Sequence, residues 1–343
     1  MRALVRKGFG INLEDIQAPK IVNSKDAIVK VTYSSICTSD IHIRKGFVPR
    51  ANDNIVLGHE FVGEIVEVGD DVKKLAVGQR VVANCITFCG ECYYCQKGFI
   101  NNCENGGWEL GCRIDGCQAE YVRVPYADMG LTPIPENVSD TQGLFVGDIL
   151  SSGYFGVELC GVNKGDNLAI IGSGPVGLCS MKCARLFTEG LIFAIDVNQQ
   201  RLDFAKANNF ADVVINPLKE NVKEVVNSYT SSRGADNVIE VAGTKDSFRL
   251  AWDIARANST VAVVAMYEED LVLPLPLMYG KNLIFKTGGV DAVHCEKLLK
   301  YISEGKLSTD FLISETFKLE NIMVAYDYFE NKVRDCLKVA IQH

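Results

Sequence analysis

The sequence predicts an α/β fold in which a doubly wound parallel sheet is joined to a small, mostly β domain of barrel type. Three observations predict it. From residue 151 onward, short apolar strands alternate with helical stretches, the rhythm of a parallel sheet. One of those strands, Asn167–Ile171, runs straight into Gly172-Ser173-Gly174-Pro175-Val176-Gly177 and then a helical stretch to about Phe187. Ahead of residue 151 the period is two instead, at 27–33, 61–68 and 77–84, with Gly, Pro and Asn between the runs. The expected organisation is a first domain over 1–150 with a cysteine lobe at 85–105, a nucleotide-binding domain over 151–287, and a return to the first domain over 288–343.

A chain of 343 residues is long enough for two domains, each with its own core. A hydrophobic fraction of 48% and a charged fraction of 23% are those of an ordinary globular protein. The net charge of -8 is scattered and speaks against a nucleic-acid footprint. No apolar run reaches membrane-spanning length, and residues 1–7 lead into no signal-peptide core. Thirteen cysteines without an export signal read as reduced thiols and metal ligands, so the expected compartment is the cytoplasm.

In chain order, the first chemically suggestive run is Cys37-Thr38-Ser39-Asp40-Ile41-His42, a thiol close to a hydroxyl and an imidazole. Gly58-His59-Glu60 follows, a metal-seeking imidazole and carboxylate on a tight turn ahead of an alternating strand. Taken alone, each is also compatible with a buried thiol and an ordinary turn. A catalytic zinc site needs three protein ligands and one open position, and Cys37 with His59 offers two. Asp148, a single carboxylate within the apolar run Phe145–Leu150, is a candidate third, because a buried carboxylate needs a partner; a helix cap or salt bridge is the alternative.

Cys89, Cys92, Cys95 and Cys103 form the strongest local signal. The spacing suits a closed, tetrahedral all-cysteine zinc site of structural type, with an iron–sulfur cluster as the competing inorganic reading. The remaining cysteines read as core thiols.

In the second domain, Gly172, Gly174, Pro175, Val176 and Gly177 allow a tight turn and the close approach of a pyrophosphate at a helix N-terminus. The next strand, Leu191–Ile195, ends in Asp196, about 20 residues on, where an acid bonds both adenosine ribose hydroxyls and repels a 2′-phosphate. That favours NAD over NADP. Further strands are expected at 211–215, 237–241, 260–265 and 282–285, with Val241-Ala242-Gly243 at the end of one and able to contact the nicotinamide. The last residues should carry a helix and the strand 337–341.

Gly58-His59-Glu60 with Gly63, Gly69 and Val72, followed by Val77-Gly78-Gln79-Arg80-Val81, resembles the zinc-dependent medium-chain alcohol dehydrogenases. The four-cysteine loop, the Gly-rich unit and the two-domain order extend the likeness over essentially the whole chain. Cys37–His42, Gly107-Trp108 and Ala127-Asp128-Met129 are most similar to the bacterial secondary-alcohol dehydrogenases. The resemblance implies a GroES-like catalytic domain beside a Rossmann domain, catalytic zinc on Cys37, His59 and Asp148 with Glu60 adjacent, and structural zinc on the four cysteines. It implies Ser39 and His42 as a proton relay, Arg201 on the adenine side of the cofactor, Trp108 in the substrate pocket, and a homodimer or homotetramer built through the Rossmann sheet edge. The implied reaction passes hydride between NAD(H) and a secondary alcohol/ketone pair, with a polyol or diol dehydrogenase (butanediol- or sorbitol-type) or a formaldehyde dehydrogenase-like enzyme as alternatives.

Two features depart from the secondary-alcohol pattern. Those enzymes tend to lack the four-cysteine lobe and to use NADP, with Gly/Ser/Arg after the second Rossmann strand, where this chain has Asp196-Val197-Asn198. Phe210 stands where the family usually has Gly. A zinc-free quinone-reductase-like enzyme would lack Cys37, His59 and Asp148 together, and a zinc-ribbon module for nucleic acid is disfavoured by the acidic charge and the complete dinucleotide unit.

Overall fold

A computed structural model describes residues 1–343 and divides them into two compact units, Met1–Ser151 with Asp291–His343, and Ser152–Val290. The chain opens with β1 (Arg2–Lys7), β2 (Gly10–Asp15), β3 (Ala27–Ser35), α1 (Thr38–Arg44), β4 (Ile55–Val56), β5 (Phe61–Val68) and β6 (Arg80–Ala83). It continues through α2 (Tyr93–Gln96), β7 (Tyr121–Val124), α3 (Ala127–Gly130), β8 (Leu131–Pro133) and α4 (Asp140–Gly143). After the second unit it returns with α11 (Cys295–Ser303), β15 (Ile313–Lys318), α12 (Ile322–Glu330) and β16 (Lys338–Gln342), whose intervening elements are given below.

In this unit a seven-stranded sheet runs β15-β16-β3-β5-β6-β8, with β7 also paired to β3, and a second sheet runs β2-β1-β4. Apart from the parallel β15–β16 pair, the ladders of both sheets are antiparallel. Alternation explains the pleat: Ala27, Val29 and Val31 of β3 face a buried cluster with Phe61, Ile65 and Val81. Two sequence expectations are corrected here. The strand expected over 77–84 starts only at Arg80, because Gly78 takes φ +89° and Gly78 N–H bonds Ile65 O, which makes the preceding residues a turn. Residues 288–343 hold two helices and two strands where one of each is expected; β15 (ISETFK) has little burial, so its apolar pattern is weak.

The second unit comprises α5 (Ser151–Cys160), β9 (Leu168–Ile171), α6 (Pro175–Ala184), β10 (Ile192–Ile195), α7 (Gln199–Ala207), β11 (Val213–Ile215), α8 (Val222–Tyr229), β12 (Ala235–Glu240), α9 (Lys245–Ile254), β13 (Ala255–Val263), α10 (Leu275–Met278) and β14 (Ile284–Thr287). Its strands order as β11-β10-β9-β12-β13-β14, every ladder parallel. This is the order of a doubly wound nucleotide-binding sheet, whose ligands sit at the carboxyl ends of the strands where the winding reverses. β9 and β10 are buried at every residue, as central parallel strands covered on both faces must be. Side-chain caps start the helices: Asn198 accepts from Arg201 N, Asn221 from Lys223 N and Glu224 N, and Thr244 with Ser247 forms a capping box.

Candidate active site

In the first unit, Cys37 is the N-cap of α1, so the helix starts at Thr38. His59 sits on the turn between β4 and β5. Gly58 reaches φ +97° there, and a Cβ on it would lie 2.7 Å from Gln118 Cγ and 2.9 Å from Cys117 Sγ. Asp148 belongs to a π-type turn, Val146–Leu150. Its neighbour Gly147 passes so close to β6 that a Cβ would lie 1.7 Å from Ala83 O, which fixes how far into the unit the carboxylate reaches.

These three loops converge. Cys37 Sγ, one His59 ring nitrogen and an Asp148 carboxylate oxygen lie within 4.8 Å of one another, with His59 and Asp148 buried. His59 Nε2 is 3.3 Å from Asp148 Oδ2 and 3.3 Å from Ser39 Oγ. Zinc bonds of about 2.0–2.3 Å in a tetrahedron give ligand separations of this order, so the donor set fits the metal. On the other side of the ring, His59 Nδ1 faces Asp40 Oδ1 at 3.4 Å, and neither atom has a hydrogen-bond partner. A carboxylate behind a ligating imidazole is the usual way to fix which nitrogen faces the metal. Burial lowers the His59 pKa, but the charge of Asp40 and the contact with Asp148 outweigh it and push the pKa above the ordinary value. The surrounding carboxylates therefore favour positive charge on the His59 ring.

Glu60 is buried beside them. Lys338, itself buried on β16, forms an ion pair with Glu60 Oε2 and donates to Ile36 O at 2.7 Å, while Glu60 Oε1 is unpartnered. Burial pushes the Glu60 carboxyl up to about 7, against the pull of Lys338 and with the help of Asp148. Trp108 meets His59 edge-on, ring centroids 5.6 Å apart, with the Arg50 guanidinium 5.4 Å above the indole. His42 is half-buried on α1 beside Phe47, ring centroids 6.0 Å apart.

The four cysteines of the lobe gather as well. Sγ separations are 4.0 Å for Cys89–Cys95, 3.9 Å for Cys92–Cys103 and 3.6 Å for Cys89–Cys103. Sulfurs bound at about 2.3 Å around a tetrahedral zinc stand about as far apart as this. Backbone N–H groups of Cys92 and Cys89 donate to Cys89 Sγ and Cys103 Sγ at 3.3 Å each. Burial raises the Cys89 thiol, but the backbone N–H groups of Glu91 and Cys92 outweigh it and hold the pKa at about 6, while burial pushes Cys95 up to about 12. Four sulfurs this close become thiolates together only around a cation.

In the second unit, Gly172 takes φ +105°, and a Cβ there would lie 3.0 Å from Ala242 N and 3.1 Å from Val241 C. Gly177 has no room either, since its Cβ would meet Gly172 O at 1.8 Å. Gly174 is different: the nearest atom to its Cβ position is Arg201 Nη1, 3.7 Å away, which leaves the N-terminus of α6 open to an anion. Pro175 occupies the first helical position, followed by Val176. Asp196, just past β10, accepts Ser173 N–H at 2.6 Å and Asn198 N–H at 2.8 Å, so its carboxylate borders the Gly-rich turn. Val241-Ala242-Gly243 follows β12 against the same turn. Its Ala242 and Gly243 N–H groups are held by Glu240 Oε1 at 2.8 and 2.9 Å, and Tyr267 bonds Oε2.

Sequence reasoning therefore missed Asp40, Lys338, Glu240 and Tyr267. Asp40 was visible between Cys37 and His42. Lys338 had one signal, a lone cation in an apolar strand. No motif flagged Glu240 or Tyr267.

The alcohol dehydrogenase GroES-like domain family matches residues 23–136, and the zinc-binding dehydrogenase family matches 175–293. An alcohol dehydrogenase of Cupriavidus necator is 35% identical, over 97% of this chain and 95% of the relative. The NADP-dependent isopropanol dehydrogenase of Thermoanaerobacter brockii is 31% identical, over 92% of each chain. Among solved structures, alcohol dehydrogenase TADH of Thermus sp. ATN1 superposes with a TM-score of 0.92 at 32% identity, covering 100% of this chain and 99% of that one. The relationship brings with it oxidoreductase activity on the CH–OH group of small-molecule alcohols, together with zinc and a nicotinamide cofactor. The chain belongs to the zinc-dependent medium-chain alcohol dehydrogenase family.

Proposed function

We propose that this protein interconverts a secondary alcohol and its ketone with NAD(H), using a zinc held by Cys37, His59 and Asp148. The observation that carries it is the convergence of one thiol, one imidazole and one carboxylate within 4.8 Å. The zinc supplies Lewis acidity that lowers the pKa of an alcohol hydroxyl, and the nicotinamide accepts the hydride. The chain's own residues do the rest. Ser39 Oγ, 3.3 Å from His59 Nε2, accepts the hydroxyl proton while its own O–H proton moves on, and the His42 imidazole on the same helix receives that proton and releases it toward solvent. Lys338 neutralises Glu60 so that the site does not carry an uncompensated buried anion beside its ligands. Trp108 walls the substrate side with an apolar face. Cys89, Cys92, Cys95 and Cys103 would together hold a structural zinc.

The isopropanol dehydrogenase of Thermoanaerobacter brockii supports a secondary alcohol as substrate. Its NADP is not carried over, because Asp196 borders the Gly-rich turn and repels a 2′-phosphate. The deciding experiment is a panel of secondary alcohols, diols and polyols assayed with NAD and NADP. Fastest turnover of a simple secondary alcohol with NAD supports the proposal. Preference for a polyol, or for NADP, overturns the corresponding half.

We further propose a homodimer or homotetramer in the cytoplasm, assembled through β14. That strand pairs only with β13, and Ile284 on it, with Val272, Leu277 and Tyr279 ahead of it, is exposed by 53%, 81%, 70% and 78% respectively. Such apolar surface beside an open sheet edge suits a self-complementary interface.

A further inference from the structure

Behind the metal-ligating ring lies a buried polar string that the chemistry above does not use. Asp40, facing His59 Nδ1, also accepts Cys37 N–H at 2.9 Å and Gln118 Nε2–H at 3.2 Å on its other oxygen. Gln118 Nε2 donates a second bond to Ser35 O at 3.2 Å, and Gln118 Oε1 accepts the Tyr326 hydroxyl at 2.8 Å. Asp40 and Gln118 have no exposed surface, and Tyr326 has 1%. The string joins four separate pieces of the first unit: the turn carrying His59, α1, the segment before β7, and α12.

Gln118 is clamped to the His59 turn by its backbone too. Its N–H donates to Leu57 O at 2.9 Å and its carbonyl accepts Leu4 N–H at 2.8 Å. Its side chain fills the space that a Cβ on Gly58 would need. The amide can sit only one way round. Reversed, its oxygen would face the Ser35 carbonyl and the Asp40 carboxylate, two acceptors with no proton to share. The Tyr326 hydroxyl, donating to Oε1, holds it in the productive orientation.

We propose that Gln118, locked by Tyr326, is a positioning residue that holds Asp40 against His59 Nδ1 and thereby keeps Nε2 turned toward Cys37 and Asp148. It acts through Asp40 and touches neither metal nor substrate. The inference rests on the reading of Cys37, His59 and Asp148 as zinc ligands. It makes α12, remote in sequence from the three ligands, part of what retains the catalytic metal.

The test loads the full-length protein with zinc and follows release of each ion to a colorimetric chelator, with a parallel cobalt(II) sample read by its visible d–d bands. Wild type should release two ions per chain in two separable phases. In Gln118→Leu the phase belonging to the three-ligand site should quicken about 10- to 100-fold, as for other losses of an outer partner of a ligating histidine, while the four-cysteine phase stays unchanged. Tyr326→Phe, which removes one oxygen and leaves the ring packed, should shift the same phase in the same direction and alter the cobalt bands. Wild-type release and wild-type bands in both variants overturn the proposal. Should Gln118→Leu fail to fold, Tyr326→Phe alone decides. A wild-type protein that binds only one ion per chain overturns the ligand reading itself, and this inference with it.

Discussion

Asp148 is the one carboxylate among the three donors that converge in the first unit and is a ligand in the proposed zinc site, so Asp148→Asn exchanges an anionic donor for a neutral one at almost constant volume. Zinc content after dialysis should fall from two ions per chain toward one, and kcat/KM should drop by about 10³ if the lost Lewis acidity is on the order of 4 kcal/mol. An Asp148→Asn protein that keeps both ions and its turnover would remove Asp148 from the site. Lys338 gives a different kind of prediction. Lys338→Met leaves Glu60 buried without its counter-charge, and removing one member of a buried pair costs about 3–5 kcal/mol. The thermal midpoint should fall by several degrees, and Lys338→Met with Glu60→Leu should recover much of the loss, since the pair can then be replaced by apolar contact. The three converging side chains could be named from the sequence because metal chemistry admits few residue types; a Cys, a His-Glu turn and a lone acid each also had an ordinary reading, and the family resemblance is what joined them. Lys338 offered only the faint signal of a lone cation in an apolar strand, because its partner lies 278 residues away.

Elements were legible where a single period dominates. β5 has its expected boundaries, Phe61–Val68, although Phe61, Val62 and Gly63 are all buried before alternation sets in, and β9 keeps its expected end at Ile171 because it is apolar and runs into a glycine, starting one residue later than expected, at Leu168. β6 was overextended since Val77 continues the apolar pattern, although Gly78 has already bent the backbone. The strand β16 carries a prediction at its end. The His343 ring packs into the sheet, its Nε2 2.8 Å from Ser34 Oγ and its Nδ1 buried without a partner. Burial pushes its pKa down to about 3. The folded state thus keeps the ring neutral over a range where the unfolded chain, with a pKa near 6.5, takes up a proton. The unfolded state binds more protons between those values, so stability is full above about pH 6.5 and falls as the pH drops toward 3, by a few kcal/mol at most. Urea melts at neutral and mildly acid pH should reveal this loss. In His343→Gln, which keeps a partner for Ser34 but does not titrate, the loss should shrink; an identical acid sensitivity in the variant would place its origin elsewhere.

For the whole molecule, the open question is what covers the β14 edge. Residues 272–284 expose Val272, Leu277, Tyr279 and Ile284 next to a strand with one free side. A stable interface buries roughly 1,600 Å² in total; the unpaired strand offers backbone N–H and C=O groups for hydrogen bonds, and the apolar side chains flanking it offer the desolvation such an interface draws on. Light scattering of the purified protein should therefore return a multiple of the 37.7 kDa chain mass. Two like charges brought together across a two-fold axis repel each other, so Ile284→Lys with Leu277→Lys should lower that mass, because every contact between the substituted positions then sets cation against cation. The same variant should bind as much zinc as wild type, since the proposed ligands all belong to the other unit. Loss of assembly together with loss of metal would mean that the substitutions unfold the chain, and a wild-type protein that scatters as a monomer at working concentration would leave the edge to some other partner.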